Sequence, residues 1–226
     1  MCKILILVIS VKASERYSAL MKAQKETWDS IQEEGVKTLY FYGERNGDVE
    51  PDEYCTYTGD QYQYQHIKAK KVLDLVWYWD WDYIFGTTNA SYVDKKRLNE
   101  YCSKLPKTRV YCGIDEVTFT SGCGIIYSRD VIDIIRKECC GDEGDTSPDV
   151  TQSQILKMRY DIGTNPNGER VDYYGWNFEK LYCKDGKHIS ITDPHIPCYH
   201  YRCKHPQLDY NKEIEAFKDI YNFLNK

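Results

Sequence analysis

The chain has 226 residues, 42% hydrophobic and 29% charged, a balance that suits a globular α/β fold with a full core. Its net charge of −5 argues against general nucleic-acid binding, which needs a basic surface to displace counterions from phosphates. Ten cysteines lack zinc-type knuckle spacing and follow no secretion signal, so they read as reduced structural thiols, the crowding of Cys198, His200, Cys203 and His205 included.

The opening "MCKILILVIS" reads as a buried first strand over 3–10. Its apolar run is too short to span a bilayer and lacks signal-peptide flanks, so a cytoplasmic protein with no membrane span is expected. An amphipathic helix follows over 16–32, with Tyr17, Leu20, Met21, Trp28 and Ile31 on one face. Residues 36–42 form a second strand closed by Gly43, and 44–61 are polar. A helix over 66–79 leads to a third strand at 83–87, then to a helix over 94–105 that Pro106 stops. Two β-like runs, 109–114 and 124–128, precede an apolar helix over 131–140 that Asp130 caps. A loop at 141–148 ends in Pro148, which opens a helix over 149–160. A late strand at 188–192 and a helix over 211–224 complete the pattern.

Such alternation implies a single α/β domain, its central sheet mostly parallel and flanked by helices on both faces. In such sheets ligands bind beyond the carboxyl ends of the strands. Ser10 and Val11 follow strand one, and Thr88, Asn89, Ala90 and Ser91 follow strand three. Gly122 and Gly124 permit close backbone approach to a ligand. Asp149 stands at a helix start, where on spacing alone it reads first as an ordinary N-terminal charge. Asp80 and Asp82 form an acid-x-acid pattern suited to a divalent cation, but they precede their strand and so fall on the wrong edge of the sheet. In "YHYRCKHP", His200 can ligate a metal while Arg202 and Lys204 can neutralise a diphosphate; a basic surface turn fits the same composition. Of 21 tyrosines, most read as half-buried strand positions rather than sugar platforms. No Gly-x-Gly-x-x-Gly follows strand one, which argues strongly against a dinucleotide enzyme.

Taken in order, these segments resemble GT-A-fold (Rossmann-like) glycosyltransferases, nearest the fringe and β-1,3-galactosyltransferase-like group. They also resemble glycosyltransferase domains encoded by chloroviruses, large algal DNA viruses. "SERYSALMKAQKETW" is similar to the family's first helix, with Arg16 as a basic member, and "FYG" to the close of its second strand. "KAKKVLDLVWYW" is similar to its Lys-Thr helix, with Lys70 at the lysine. In "WDYIFGTTNASYV", Thr88, Asn89 and Ala90 stand where the family has three aspartates, while Ser91, Tyr92 and Val93 agree with it. "FTSGCGIIYS" resembles the acceptor-side Gly-x-Gly element, and "SPDVTQSQ" the segment whose aspartate, Asp149 here, is the base of inverting members. "HYRCKHP" also resembles the ending of retaining, glycogenin-like enzymes, so the stereochemistry stays open.

The resemblance implies a nucleotide-binding half over about 1–105, an acceptor half over about 106–226, and transfer of a hexose or deoxyhexose. The donor would be a nucleotide-sugar, UDP-linked, and the acceptor a glycan or glycoprotein, a capsid glycan if the chain is viral. Asp149 would be the base, and Lys204, His200, Arg16 and Lys70 would meet the leaving group. Ser10, Val11, Thr88, Asn89, Ala90, Gly122 and Gly124 would complete the donor site. Without the aspartates, a divalent cation (Mn²⁺ or Mg²⁺) would rest on His200 with Thr88 and Asn89, or basic residues would replace it. The competing reading is a non-catalytic nucleotide- or glycan-binding domain descended from such an enzyme.

Overall fold

The structure, a computed structural model, describes residues 2–115, 120–138, 148–160, 162, 175–176, 199–205 and 207–225. The strands are β1 (Ile4–Ile9), β2 (Val36–Tyr42), β3 (Glu53–Cys55), β4 (Tyr83–Thr88), β5 (Ser91–Val93), β6 (Tyr111–Asp115), β7 (Thr120–Ser128), β8 (Gly175–Trp176) and β9 (His200–Arg202). The helices are α1 (Glu15–Glu26), α2 (Gln65–Val76), α3 (Lys95–Cys102), α4 (Arg129–Glu138), α5 (Pro148–Ser153) and α6 (Tyr210–Leu224).

A six-stranded sheet runs in the order β3-β2-β1-β4-β7-β6. β3, β2, β1 and β4 are parallel neighbours, whereas β7 is antiparallel to both β4 and β6. The sheet is therefore mostly parallel, as the sequence pattern implies. β1 can be apolar at every position because it is covered on both faces. Ile4, Ile6 and Val8 enter a core shared with α1, α3 and α6, while Leu5 and Leu7 enter another shared with α2 and α4. Many of the tyrosines are structural: Tyr40, Tyr42, Tyr83, Tyr92 and Tyr111 are among the largest fully buried side chains.

Several element bounds differ from the sequence expectation. α1 stops at Glu26, where the Thr27 backbone leaves the helical region and its hydroxyl donates to the Ala23 carbonyl (2.6 Å). Trp28 and Ile31 keep the apolar periodicity beyond that point, but on a single tight turn. The expected helix over 149–160 is α5 followed by a wider π-helical turn, Gln154–Arg159. β7 begins at Thr120, earlier than the apolar run suggests. The expected strand at 188–192 lies outside the described residues.

β5, β9 and β8 form a second, three-stranded sheet, with β9 antiparallel to β5. β4 and β5 are joined by Asn89 and Ala90 alone, so the chain leaves one sheet and enters the other within two residues.

Candidate active site

The corner between β4 and β5 is held from α1. The Gln24 side-chain amide donates to the carbonyls of Thr88 (3.2 Å) and Ser91 (2.7 Å), and the Trp28 indole donates to Ser91 (3.1 Å). Both side chains are fully buried, which satisfies carbonyls that a turn between sheets would strand. Asn89 points inward and donates to the Ser10 hydroxyl (3.0 Å); Ala90 is buried, and its carbonyl accepts the Cys203 amide (2.7 Å). Thr88 turns toward an open cleft of about 430 Å³.

That cleft opens at the carboxyl ends of β1 and β4, beside Ile9 and Thr88, and extends back along the sheet to Leu7 and Ile84. Because β7 is antiparallel, its first residues reach the same end: Gly124 pairs with Thr87, and Gly122 lies two residues further out. The Gly122 amide donates to Asp149 Oδ2 (2.8 Å), and the Val150 amide donates to Oδ1 (3.0 Å). A Cβ on Gly122 would stand 3.1 Å from Asp149 Oδ2, so glycine is what admits the carboxylate. α5, which carries Asp149, is strapped to the sheet by Tyr127 to Gln152 (2.9 Å) and Tyr111 to Ser153 (2.8 Å). A carboxylate has about four lone-pair sites, so Asp149 keeps acceptor capacity for a hydroxyl in the cleft.

β9 brings the cations. His200, Arg202 and Lys204 alternate in sequence and so share one side of the extended chain. Pairing of Ser91 with Arg202 sets this segment against the β4 corner, and Arg202 and Lys204 line the cleft with Thr88, Gly122 and Asp149. His200 is deeper and fully buried, its Nε2 3.2 Å from the Thr87 hydroxyl and its ring edge-on to Phe85. Burial, with the Arg202 charge adding to it, lowers its pKa to about 3, so the imidazole is neutral at ordinary pH.

A divalent cation does not fit this donor set. Among the described residues no three His, Cys, Asp or Glu side chains come together, and His200 faces an aromatic ring and a hydroxyl with a guanidinium next along its strand. The Asp80-x-Asp82 pattern lies at the opposite end of the sheet, where Asp80 pairs with the Lys3 ammonium and Asp82 accepts the Lys3 amide (2.9 Å).

The structure thus brings together Thr88, Gly122, Asp149 and Lys204 around one opening, with Gly124 in the ladder beside it. Other sequence candidates sit elsewhere. Ser10 and Asn89 are buried against each other, and the Val11 carbonyl accepts the Ser14 amide (3.1 Å). Arg16 reaches α6 and pairs with the fully buried Glu213 (2.7 Å). Lys70 lines a small recess beside the cleft, its ammonium bonded to Asp74 (2.9 Å). Sequence reasoning did not place Gly86, Tyr62 or Tyr127 at the site; the glycine inside an apolar strand was the one signal available.

No family model and no curated protein matches the chain. Among solved structures it is similar to a glycosyltransferase involved in the glycosylation of the major capsid of PBCV-1, at 13% identity and a TM-score of 0.53. The match covers 96% of this chain and 99% of that one. GlyE, a glycosyltransferase of Streptococcus pneumoniae TIGR4, aligns at 12% identity and a TM-score of 0.47, covering 97% of this chain and 64% of that chain, too distant to carry an argument. At such identities what is shared is architecture, and the chain has a glycosyltransferase fold.

Proposed function

We propose that the chain is a glycosyltransferase that moves a sugar from a UDP-linked donor to a hydroxyl acceptor. The observation that carries this reading is the convergence of Asp149, Arg202 and Lys204 on one cleft at the carboxyl ends of the strands, within that fold. Glycosyl transfer passes through an oxocarbenium-like state while a diphosphate departs, so it needs positive charge at the leaving group and a base at the attacking hydroxyl. Arg202 supplies a fork of donors and Lys204 a mobile ammonium for the diphosphate. Asp149, held by two backbone amides, takes the proton of the acceptor hydroxyl as its oxygen bonds to the anomeric carbon. Attack from the face opposite the diphosphate makes the reaction inverting.

Calorimetry with UDP and a panel of UDP-sugars, with and without Mn²⁺, tests this reading. Binding without added metal, weakened in both Arg202→Ala and Lys204→Ala, is the expected result. No binding of any nucleotide or nucleotide-sugar overturns it. A Mn²⁺-dependent gain in UDP affinity that His200→Ala abolishes would return the leaving-group charge to a metal.

A further inference from the structure

The cleft has two chemically different parts. Its mouth carries Thr88, Asp149, Arg202 and Lys204, but behind them it runs between the sheet and helices α2 and α4. There the floor is Leu7, Phe41 and Ile84, and the roof is Val72, Leu73 and Ile132. Among the described residues beside this inner part, the Thr87 hydroxyl is engaged with His200 and the Tyr127 hydroxyl with Gln152, and the other polar lining, Tyr62 and Gln65, lies at the amino-terminal end of α2. A sugar or phosphate placed there would lose water without regaining hydrogen bonds, at a cost of roughly 2–7 kcal/mol per buried polar group.

Two small residues line this space: Gly86 in the floor, between Ile84 and Thr88 on its face of β4, and Ala69 on α2. Glycine weakens a strand interior, and at Gly86 nothing in the fold demands it. A Cβ there would meet the Tyr127 ring at 3.4 Å and the Ile125 carbonyl at 3.9 Å, both ordinary contacts. What the missing side chain preserves is room.

We infer that the inner chamber binds the apolar portion of the acceptor, an alcohol whose hydroxyl meets Asp149 while an alkyl or aryl group lies between β4 and α2. The charge at the mouth fits this direction of entry, because the diphosphate stays with Arg202 and Lys204 and the uncharged end goes inward. The role given to the hydroxyl rests on the transfer reaction proposed above; the chamber itself does not.

The test measures binding to the full chain, without donor, of n-alkyl glucosides from methyl to octyl below their micelle concentrations. A second arm uses aryl glucosides of matched size, which tells a lipid-like chain from an aromatic group. Affinity is expected to rise by about fourfold per methylene, the equivalent of ~0.8 kcal/mol per buried CH₂, and to level off when the chamber is full. Gly86→Val, and separately Ala69→Leu, should move that plateau to shorter chains and lower the octyl-to-methyl affinity ratio by about fourfold to sixteenfold, as expected when one or two methylenes are excluded. Thermal unfolding verifies that each variant is folded, and the two substitutions lie on different elements, so loss of one leaves the other. Affinity independent of chain length in both arms, or a plateau unmoved by the folded variants, overturns the inference. Length-dependent binding by a chain that takes no nucleotide-sugar sinks the transferase reading and leaves the chamber standing.

Discussion

Two side chains give the site its sharpest residue-level expectations. Asp149 is held by the amides of Gly122 and Val150, and among the described residues no ion pair to it is formed, so Asn at this position breaks no described salt bridge. Asp149→Asn should lower turnover by about 10²–10⁴-fold, the range of a lost general base, while UDP affinity is kept. Initial rates and calorimetry on the same protein separate the two. His200 is the other. Its folded pKa of about 3 lies below the ordinary value of 6.5, so as pH falls the unfolded chain takes up the proton first. Its neutral burial costs nothing through titration above about pH 6.5. Below that, stability declines by up to ~1.4 kcal/mol per pH unit until the folded imidazole itself titrates. His200→Phe should remove that decline, which urea midpoints at pH 7 and pH 5 would show.

At the scale of elements, the decisive piece is the turn from β4 into β5. Gln24→Leu would withdraw the side-chain donor to the Thr88 carbonyl and leave Ser91's carbonyl to Trp28 alone. A loss of about 1–3 kcal/mol is expected, the cost of leaving a buried polar group unsatisfied, read by chemical denaturation. This corner also shows what sequence can and cannot reveal. β1 announces itself because burial on both faces forces continuous hydrophobicity, and the crevice rule then picks out Thr88. Asp149, by contrast, reads on spacing as an ordinary helix-start charge and takes its role only from the family resemblance. β5 and β9 have three residues each and are fixed by pairing across more than a hundred positions, a non-local energy that leaves no local period. Arg202 and Lys204 were therefore legible as chemistry but not as location. The pairing of Arg16 was illegible for a related reason, since its partner Glu213 lies 197 positions away.

Across the whole molecule, that Arg16–Glu213 pair ties α1 near the start of the chain to α6 near its end. Glu213 is fully buried and also accepts the His205 amide (2.8 Å), so it anchors the segment just after the cationic strand. Glu213→Ala should destabilise the fold by about 3–5 kcal/mol, because it leaves a partly buried guanidinium uncompensated. The expected signature is a lower unfolding midpoint. UDP affinity should fall much less than in Lys204→Ala, which distinguishes a brace from a ligand contact.

The orientation of Asn89 and Ala90 has a practical consequence for anyone wishing to graft a metal centre onto this protein. Writing aspartates back at 88–90 changes three side chains that do not point the same way. Thr88 addresses the cleft, but Ala90 is sealed and Asn89 already spends its amide on Ser10. A carboxylate at 89 would lose the Asn89 amide's bond to Ser10 and bring a charge into a buried position, with a penalty of several kcal/mol where it stays unpaired. At this strand end Asn89 is bonded to Ser10 and the Ala90 carbonyl to the Cys203 amide, so a cation-binding version would first require a different corner.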